Sequence, residues 1–525
     1  MNRGNLVGVL VACCAMGCSS SSGSSQPEAG APAGPGPTLV TTEGGPVQGA
    51  ALASARAFLD IPDAAAPVGA LRWKPPAAPP AWTTTRDATG LGPQCPQYVL
   101  FTGASVDTTE DCLQLNVWTP PDATDHAPVM VFIHGGAFVS GSGVDPAYAG
   151  PGLAAAGHVI VVTVNYRLGP FGFLDHPALA ADSPSPNLGL LDQRAALQWV
   201  HRNVAAFGGD PGNVTIFGES AGAVSVCTHL AMTGSAGLFQ RAIMESGACD
   251  GSLEYNMATA TAQGNAFATA LGCTSASTAA SCMRSKTVAQ VLGALPIRQV
   301  AIGATGVLWG PILGDTELPV APLATLQSGH FAHVPLVLGT NLHEGQLFTS
   351  VYEEFIGVIK QTDVPAMLGG LFGTSRVAAV TAQYPPSAYP APHDQVSNAM
   401  TDGIFACPSR RAARAIASHG GDAFLYQFVY PFTVTLVPGA VTAHGFELPF
   451  VFGNKLYGTG LQDKDQPLAA IISGYWTGFA SSGKPVGSTM WPAYQQSSDG
   501  NIVLDAKVST ASGLKKGICD FWDGI

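Results

Sequence analysis

The chain carries little charge for its length: Asp, Glu, Lys and Arg together make up 11% of its 525 residues, and no run of basic residues occurs in it. With a formal net charge of −12, nothing is available to track a phosphate backbone, so no nucleic-acid partner is expected. Long apolar runs are missing as well. The N-terminal stretch from Leu6 to Gly17 is shorter than the roughly 20 residues that cross a bilayer. There are no paired C-x-x-C ligands and no G-x-x-x-x-G-K-[ST] loop, so neither a metal nor a nucleotide cofactor is expected. Internal repeats are absent too. What is plentiful is apolar side chain, 46% of residues. That is enough for a large core, and the length reads as one decorated α/β domain.

The N-terminus reads as an address. Arg3 precedes the apolar stretch, which has the size of a secretory signal core, and small residues lead into Cys18. Residues 19–37 are rich in Ser, Gly, Pro and Ala, the composition of a flexible tether. This resembles a bacterial lipoprotein signal. It predicts a signal over 1–18 ending at a lipidated Cys18, a linker over 19–37 and a folded domain over 38–525. Leu10-Val11-Ala12-Cys13 is a competing lipidation motif. The protein is thus expected to be exported, either lipid-anchored to the bacterial cell envelope or, if the signal is simply cleaved, secreted.

Of eleven cysteines, setting aside Cys13, Cys14 and Cys18 leaves eight in the exported chain, where disulfides are permitted. Cys273 and Cys282 are close enough to close a small loop, and Cys95 and Cys112 flank sixteen residues. A Cys407 to Cys519 pair would staple the C-terminus to the body. Cys227 and Cys249 are left over and read as buried free thiols. Spacing alone does not establish connectivity.

Apolar runs without alternation, Val129–Ile133 and Val159–Val164, predict strands buried on both faces. Further strands are expected at Val214–Phe217, Ala242–Met244, Val334–Leu338 and Ala423–Val429. Helical patterns occupy Asn187–Phe207, Ser252–Leu271, Cys407–Ser418 and Pro467–Ala480. The proline-rich stretches Pro75–Pro80 and Pro385–Pro392 read as surface loops.

Strand Val214–Phe217 runs into Gly218-Glu219-Ser220-Ala221-Gly222 and then a helix of small residues. A strand-to-helix turn this sharp exposes its central serine at a helix N-terminus and leaves no room for side chains two positions to either side. Upstream, His134-Gly135-Gly136-Ala137-Phe138 leaves the end of the VMVFI strand. The backbone N–H groups of Gly135, Gly136 and Ala221 are candidates to converge on a developing oxyanion. A serine nucleophile needs a base, which in this chain order follows the acid. His444, in the loop after strand Ala423–Val429, is the candidate base. His419 reads as a helix C-cap and His393 as a solvated residue of the proline-rich loop. Glu344, just beyond the strand around VPLVL, is the candidate acid; Asp315 and Asp402 are rivals that read better as turn caps or surface charges. Phe138, Trp309 and Phe446 are candidate pocket aromatics.

With these residues in view, the chain resembles the type B carboxylesterase family from about Thr41 to the C-terminus. Phe58-Leu59-Asp60-Ile61-Pro62 with Pro67-Val68-Gly69-Ala70-Leu71-Arg72, the segment Glu110 to Val117, and Phe217 to Gly222 carry the likeness. It implies an α/β-hydrolase fold, a mostly parallel sheet flanked by helices with inserted pocket regions. It also implies a Ser220–Glu344–His444 triad with Gly135, Gly136 and Ala221 as oxyanion donors, and it supports the Cys95–Cys112 and Cys273–Cys282 pairings. The expected activity is hydrolysis of small-molecule carboxylic esters through an acyl-enzyme. A lipase and a catalytically inactive surface-binding relative are the alternatives. Asp60 and Asp63 depart from the Gly and Tyr common in that segment, and the Cys95–Cys112 loop is shorter than in cholinesterases, which argues against a choline-ester specialist.

Overall fold

Apolar runs that do not alternate need cover on both sides, and here they form the middle of a single large sheet. The computed structural model describes residues 36–99, 105–106, 108–122, 126–247, 253–295 and 309–525, within one unit, Pro35–Ile525. The sheet's strands, in chain order, are β1 (Ala50–Ala51), β2 (Arg56–Pro62), β3 (Gln114–Thr119), β4 (Ala127–Ile133), β5 (Ile160–Val164), β6 (Gly209–Glu219), β7 (Arg241–Glu245), β8 (Leu336–Asn341), β9 (Ala423–Phe428), β10 (Gly500–Leu504) and β11 (Ser509–Ser512). Their spatial order is β11-β10-β9-β8-β7-β6-β4-β5-β3-β2-β1. Strands β4 to β10 run parallel. The pairs β1–β2, β2–β3, β3–β5 and β10–β11 are antiparallel margins.

Along β4 the side chains alternate between two cores, as strand geometry requires. Val129, Val131 and Ile133 join one buried cluster and Met130 and Phe132 the other. The first is covered by helices α1 (Leu188–Asn203) and α2 (Ala221–Ala231), and the second by α6 (Gln466–Ser482). A third, smaller cluster joins residues of α3 (Glu344–Phe355), α4 (Pro392–Met400) and α7 (Lys516–Trp522) around Cys407, the first residue of α5 (Cys407–Ser418).

From β4 the chain moves outward to β5, then returns to β6 on the opposite side of β4 and continues through β7, β8, β9 and β10. Strand order therefore reverses between β4 and β6. In open sheets, ligands usually bind outside the carboxyl ends of the strands at such a reversal.

Several expectations are adjusted. The strand expected at Val334–Leu338 begins at Leu336, because Pro335 has no N–H to donate and the Val334 N–H turns back to Ala332 O (2.8 Å). The helix expected from Ser252 starts at Met257, where the Asn256 side chain accepts from Thr259 N; Ser252 lies outside the described residues. His393 is not in a loop: it belongs to the first turn of α4, with Nδ1 3.2 Å from Glu353 and Nε2 3.3 Å from Asp394. Disulfides join Cys95–Cys112, Cys273–Cys282 and Cys407–Cys519. Cys227, expected as a free thiol, is disulfide-bonded, since spacing says nothing about which sulfurs a fold brings together. Cys249 lies outside the described residues, as do Cys18 and Cys13.

Candidate active site

Strand β6 ends at Glu219 and α2 starts at Ala221, which leaves Ser220 alone in the turn with φ 58° and ψ −123°. A side chain held in such a region costs about 1–3 kcal/mol, and persists only where its surroundings impose it. Here Ser220 N donates to Glu245 O (2.9 Å) at the end of β7, and Val224 N donates to Ser220 O (3.0 Å). A Cβ on Gly222 would lie 1.9 Å from Ile133 O, so the elbow closes against β4 only with glycine there. Ser220 itself stays partly exposed among buried neighbours.

The register of β4 on β6 pairs Ile133 with Gly218, so His134-Gly135-Gly136 leaves the sheet level with the elbow. A Cβ on Gly135 would sit 3.0 Å from Ser220 Cβ. The N–H groups of Gly135 and Gly136 have no hydrogen-bond partner among the described residues. Ala221 opens α2, where an N–H has no carbonyl behind it within the helix. His134 holds this loop. Its ring stacks on Tyr166 at 4.4 Å, Tyr166 OH donates to His134 O (2.9 Å), and its Nδ1 donates to Gly135 O (2.7 Å). Burial pushes the His134 imidazole down to about 4, against the opposing pull of that last bond, so the ring is neutral at pH 7.

Glu344 begins α3, three residues past β8, where the positive end of the helix favours a carboxylate. Its Oε1 accepts from Asn341 N (2.6 Å), and its Oε2 lies 2.7 Å from Nδ1 of His444. A carboxylate only accepts, so the proton sits on Nδ1 and the Nε2 lone pair is free. Nε2 has no hydrogen-bond partner among the described residues. A general base requires that tautomer.

The rivals are employed elsewhere. Asp315 accepts from Asn187 Nδ2 (3.0 Å), Glu317 N (3.1 Å) and Leu318 N (2.6 Å), as well as from the Ser185 hydroxyl, and so caps a turn. Asp402 accepts from Tyr384 OH (2.8 Å) and from Lys515 Nζ. His419 ends α5, its Nε2 donating to Gln327 O (2.8 Å). The three candidate pocket aromatics are not gathered on one wall. Phe138 and Trp309 lie in one main core and Phe446 in the other.

Other residues meet the imidazole instead. The rings of Phe348 and Phe405 stand 5.0 and 4.8 Å from that of His444. Phe348 was accessible to reasoning from sequence, since it lies four residues beyond Glu344 and therefore on the same helix face. Glu219 Oε1 lies 3.2 Å from His444 Nε2. Burial, then Glu344 and Glu245, push the Glu219 carboxyl well above its usual range. Burial, then Glu219 and Glu344, push Glu447 up to about 8, with the Asn341 hydrogen bond opposing. No group of three or more His, Cys, Asp or Glu side chains that could hold a metal ion occurs among the described residues.

A profile of the carboxylesterase family matches residues 36–522. The chain belongs to the carboxylesterase family. It is 37% identical over 483 residues to para-nitrobenzyl esterase of Bacillus subtilis, covering 90% of this chain and 95% of that protein. It is 33% identical over 524 residues to a cholinesterase of Mus musculus, covering 92% and 86%. Among solved structures, a PNB esterase superposes with a TM-score of 0.81 at 37% identity over 92% of this chain and 99% of that one. A Geobacillus stearothermophilus carboxylesterase does so with 0.79 at 33% identity, over 92% of this chain and 100% of that one. The protein is thus a serine carboxylesterase of α/β-hydrolase fold, an enzyme of small-molecule carboxylic esters. In this carboxylesterase Asp60, standing where Gly is common, takes a left-handed φ of 58°, a conformation Asp tolerates better than most residues. Asp63 is buried, with no side-chain partner for either carboxyl oxygen among the described residues, and burial followed by Asp192 raises it well above its usual range against the pull of its own backbone N–H.

Proposed function

We propose that this carboxylesterase cleaves its esters by acyl transfer to Ser220, with His444 as general base and acid, Glu344 as the group that orients and charge-balances it, and the N–H groups of Gly135, Gly136 and Ala221 as oxyanion donors. The observation that carries the assignment is the 2.7 Å bond from His444 Nδ1 to Glu344, while Nε2, 3.2 Å from Glu219 Oε1, has no hydrogen-bond partner among the described residues. His444 Nε2 takes the Ser220 proton as Oγ attacks the carbonyl carbon. The negative charge on the carbonyl oxygen meets the N–H groups at the end of β4 and the start of α2, and the alcohol leaves with the proton from Nε2. Water then attacks the acyl-enzyme, giving its proton to Nε2, and the acid is released as Ser220 recovers it.

The substrate range is proposed as short-chain esters, benzyl-type esters among them; the 37% identity to a protein named para-nitrobenzyl esterase supports the second part. Initial rates on p-nitrophenyl esters of rising acyl length, beside Ser220→Ala, test the mechanism and the chain length. The expected result is an optimum at short chains and a loss of ~10⁴-fold or more in the variant. An optimum at long chains would favour a lipase, and equal inactivity of both folded proteins a binding module.

The same reading places the enzyme on the bacterial envelope through a lipid on Cys18, supported by Arg3, the short apolar stretch and the Ser-rich segment after the cysteine. Labelled palmitate should enter the full chain but not Cys18→Ser. Loss of label only in Cys13→Ser would move the site, and no label at all would make the protein a secreted one.

A further inference from the structure

One of the two rings against His444 comes from an uncommon turn. Helix α4 continues into six residues of π-helix, Thr401–Ala406, and these continue into α5. A π turn accommodates an additional residue, and each residue in a helix accounts for roughly 100° of rotation, so the turn decides which side chains of this rod face the active site. The side chain it delivers is Phe405. The Phe405 and Phe348 rings lie 6.0 Å apart and close to parallel, 13° between planes. The imidazole is tilted 48° and 39° to them. His444 therefore has two adjacent aromatic walls, one on the helix that starts with Glu344 and one on the π turn.

The turn also reaches the acid. Thr401 Oγ1 accepts the N–H of Gly345 (3.0 Å) while donating to Ser397 O (2.8 Å). A Cβ on Gly345 would lie 2.2 Å from Ser397 O, so the start of α3 is seated directly on α4. On its far side the turn is braced by the C-terminal segment. Asp402 takes the Lys515 ammonium and the Tyr384 hydroxyl, Trp522 Nε1 donates to Tyr384 OH (2.8 Å), and Cys407, next after the turn, is bonded to Cys519.

We propose that the π turn Thr401–Ala406 is the element that positions the base and its acid, with Phe405 and Thr401 as positioning residues and the C-terminal segment as their brace. This rests on His444 and Glu344 acting as assigned above. An imidazole that must receive a proton on one nitrogen while keeping a 2.7 Å bond on the other has little tolerance for ring rotation, and the walls restrict it.

The test compares wild type with Phe405→Ala, Phe405→Leu, Thr401→Val and Thr401→Ser on p-nitrophenyl acetate. Its second readout is the downfield proton resonance of the His444–Glu344 hydrogen bond. In Phe405→Ala, kcat is expected to fall ~10–100-fold, the scale of small misplacements of reacting groups, with KM little changed and the resonance broadened or lost. Phe405→Leu, which restores a wall, keeps most of the rate and the resonance. Thr401→Val behaves like the alanine variant and Thr401→Ser like wild type. A folded Phe405→Ala with wild-type kcat and resonance, or one altered only in KM, overturns the proposal and leaves Phe405 as plain lining. Should Phe405→Ala not fold, the Thr401 pair decides by the same criteria. An inactive wild type would instead refute the assigned base.

Discussion

Four glutamates, Glu219, Glu245, Glu344 and Glu447, are buried around the base of the elbow. Glu245 accepts from Trp476 Nε1 (3.1 Å), and burial followed by Glu447 pushes it well above its usual range. The upward shifts of Glu219, Glu245 and Glu447 lessen the negative charge gathered beneath the imidazole. Glu447 makes this measurable. Its folded-state value of about 8 lies above the ordinary 4.5, so between those values the folded chain holds a proton that the unfolded chain does not. Stability associated with it is complete below the lower value and is lost as pH rises through the upper. In Glu447→Gln the unfolding free energy, from urea melts at a series of pH values, should depend less steeply on pH between about 4.5 and 8. An unchanged slope would assign the proton to another member of the cluster.

Among the elements, the disulfides differ in what they restrain. Cys407–Cys519 spans a separation of 112 residues and Cys273–Cys282 one of 9. In the chain-entropy account the longer loop is worth about 4–5 kcal/mol and the shorter about 2–3. Replacing each pair by alanines should reproduce that order in denaturant-derived unfolding free energies; equal losses would mean that loop closure is not the main contribution. The longer bond also adjoins the π turn, so its removal should lower kcat as well. Pattern reading found the parallel strands from β4 to β9 because their apolar runs need no partner to be recognised. It missed β11, whose four residues are exposed Ser, Thr, Ala and Ser and become a strand only by pairing with β10. It missed the π turn because Thr401-Asp402-Gly403 are weak helix formers, so the helical pattern could be read only from Cys407 onward.

In the whole molecule, Ser220 and the rings that flank His444 belong to unequal parts of the core. Ser220 and the His134-Gly135-Gly136 loop stand on the sheet, between the two large clusters, while Phe348 and Phe405 belong to the smaller third one. Local stability follows local burial. Esterase activity should therefore disappear at a lower urea concentration than the far-UV circular dichroism signal that the sheet and its helices dominate. Coincident curves would show that the chain unfolds as one cooperative unit.

What can be read along this chain is whatever short-range sterics dictate. Gly222 is required by a carbonyl reached through a tight turn, Ser220 by the strand and helix on either side of it, and the His134-Gly135-Gly136 loop by the end of a buried strand. That Glu344 and His444 meet was reachable because the chain order of such folds sets a carboxylate and then a histidine after successive strands, and the family likeness narrowed the choice between Glu344 and its aspartate rivals. Other partners far apart in sequence were not reachable. That His444 rests against Phe405, that Cys227 is bonded, and that the Glu219 and Glu447 carboxyls are pushed above their usual range all depend on how three packed clusters bring distant segments together and remove water from them. Proximity and desolvation arise only when the chain is folded, and no local pattern encodes them.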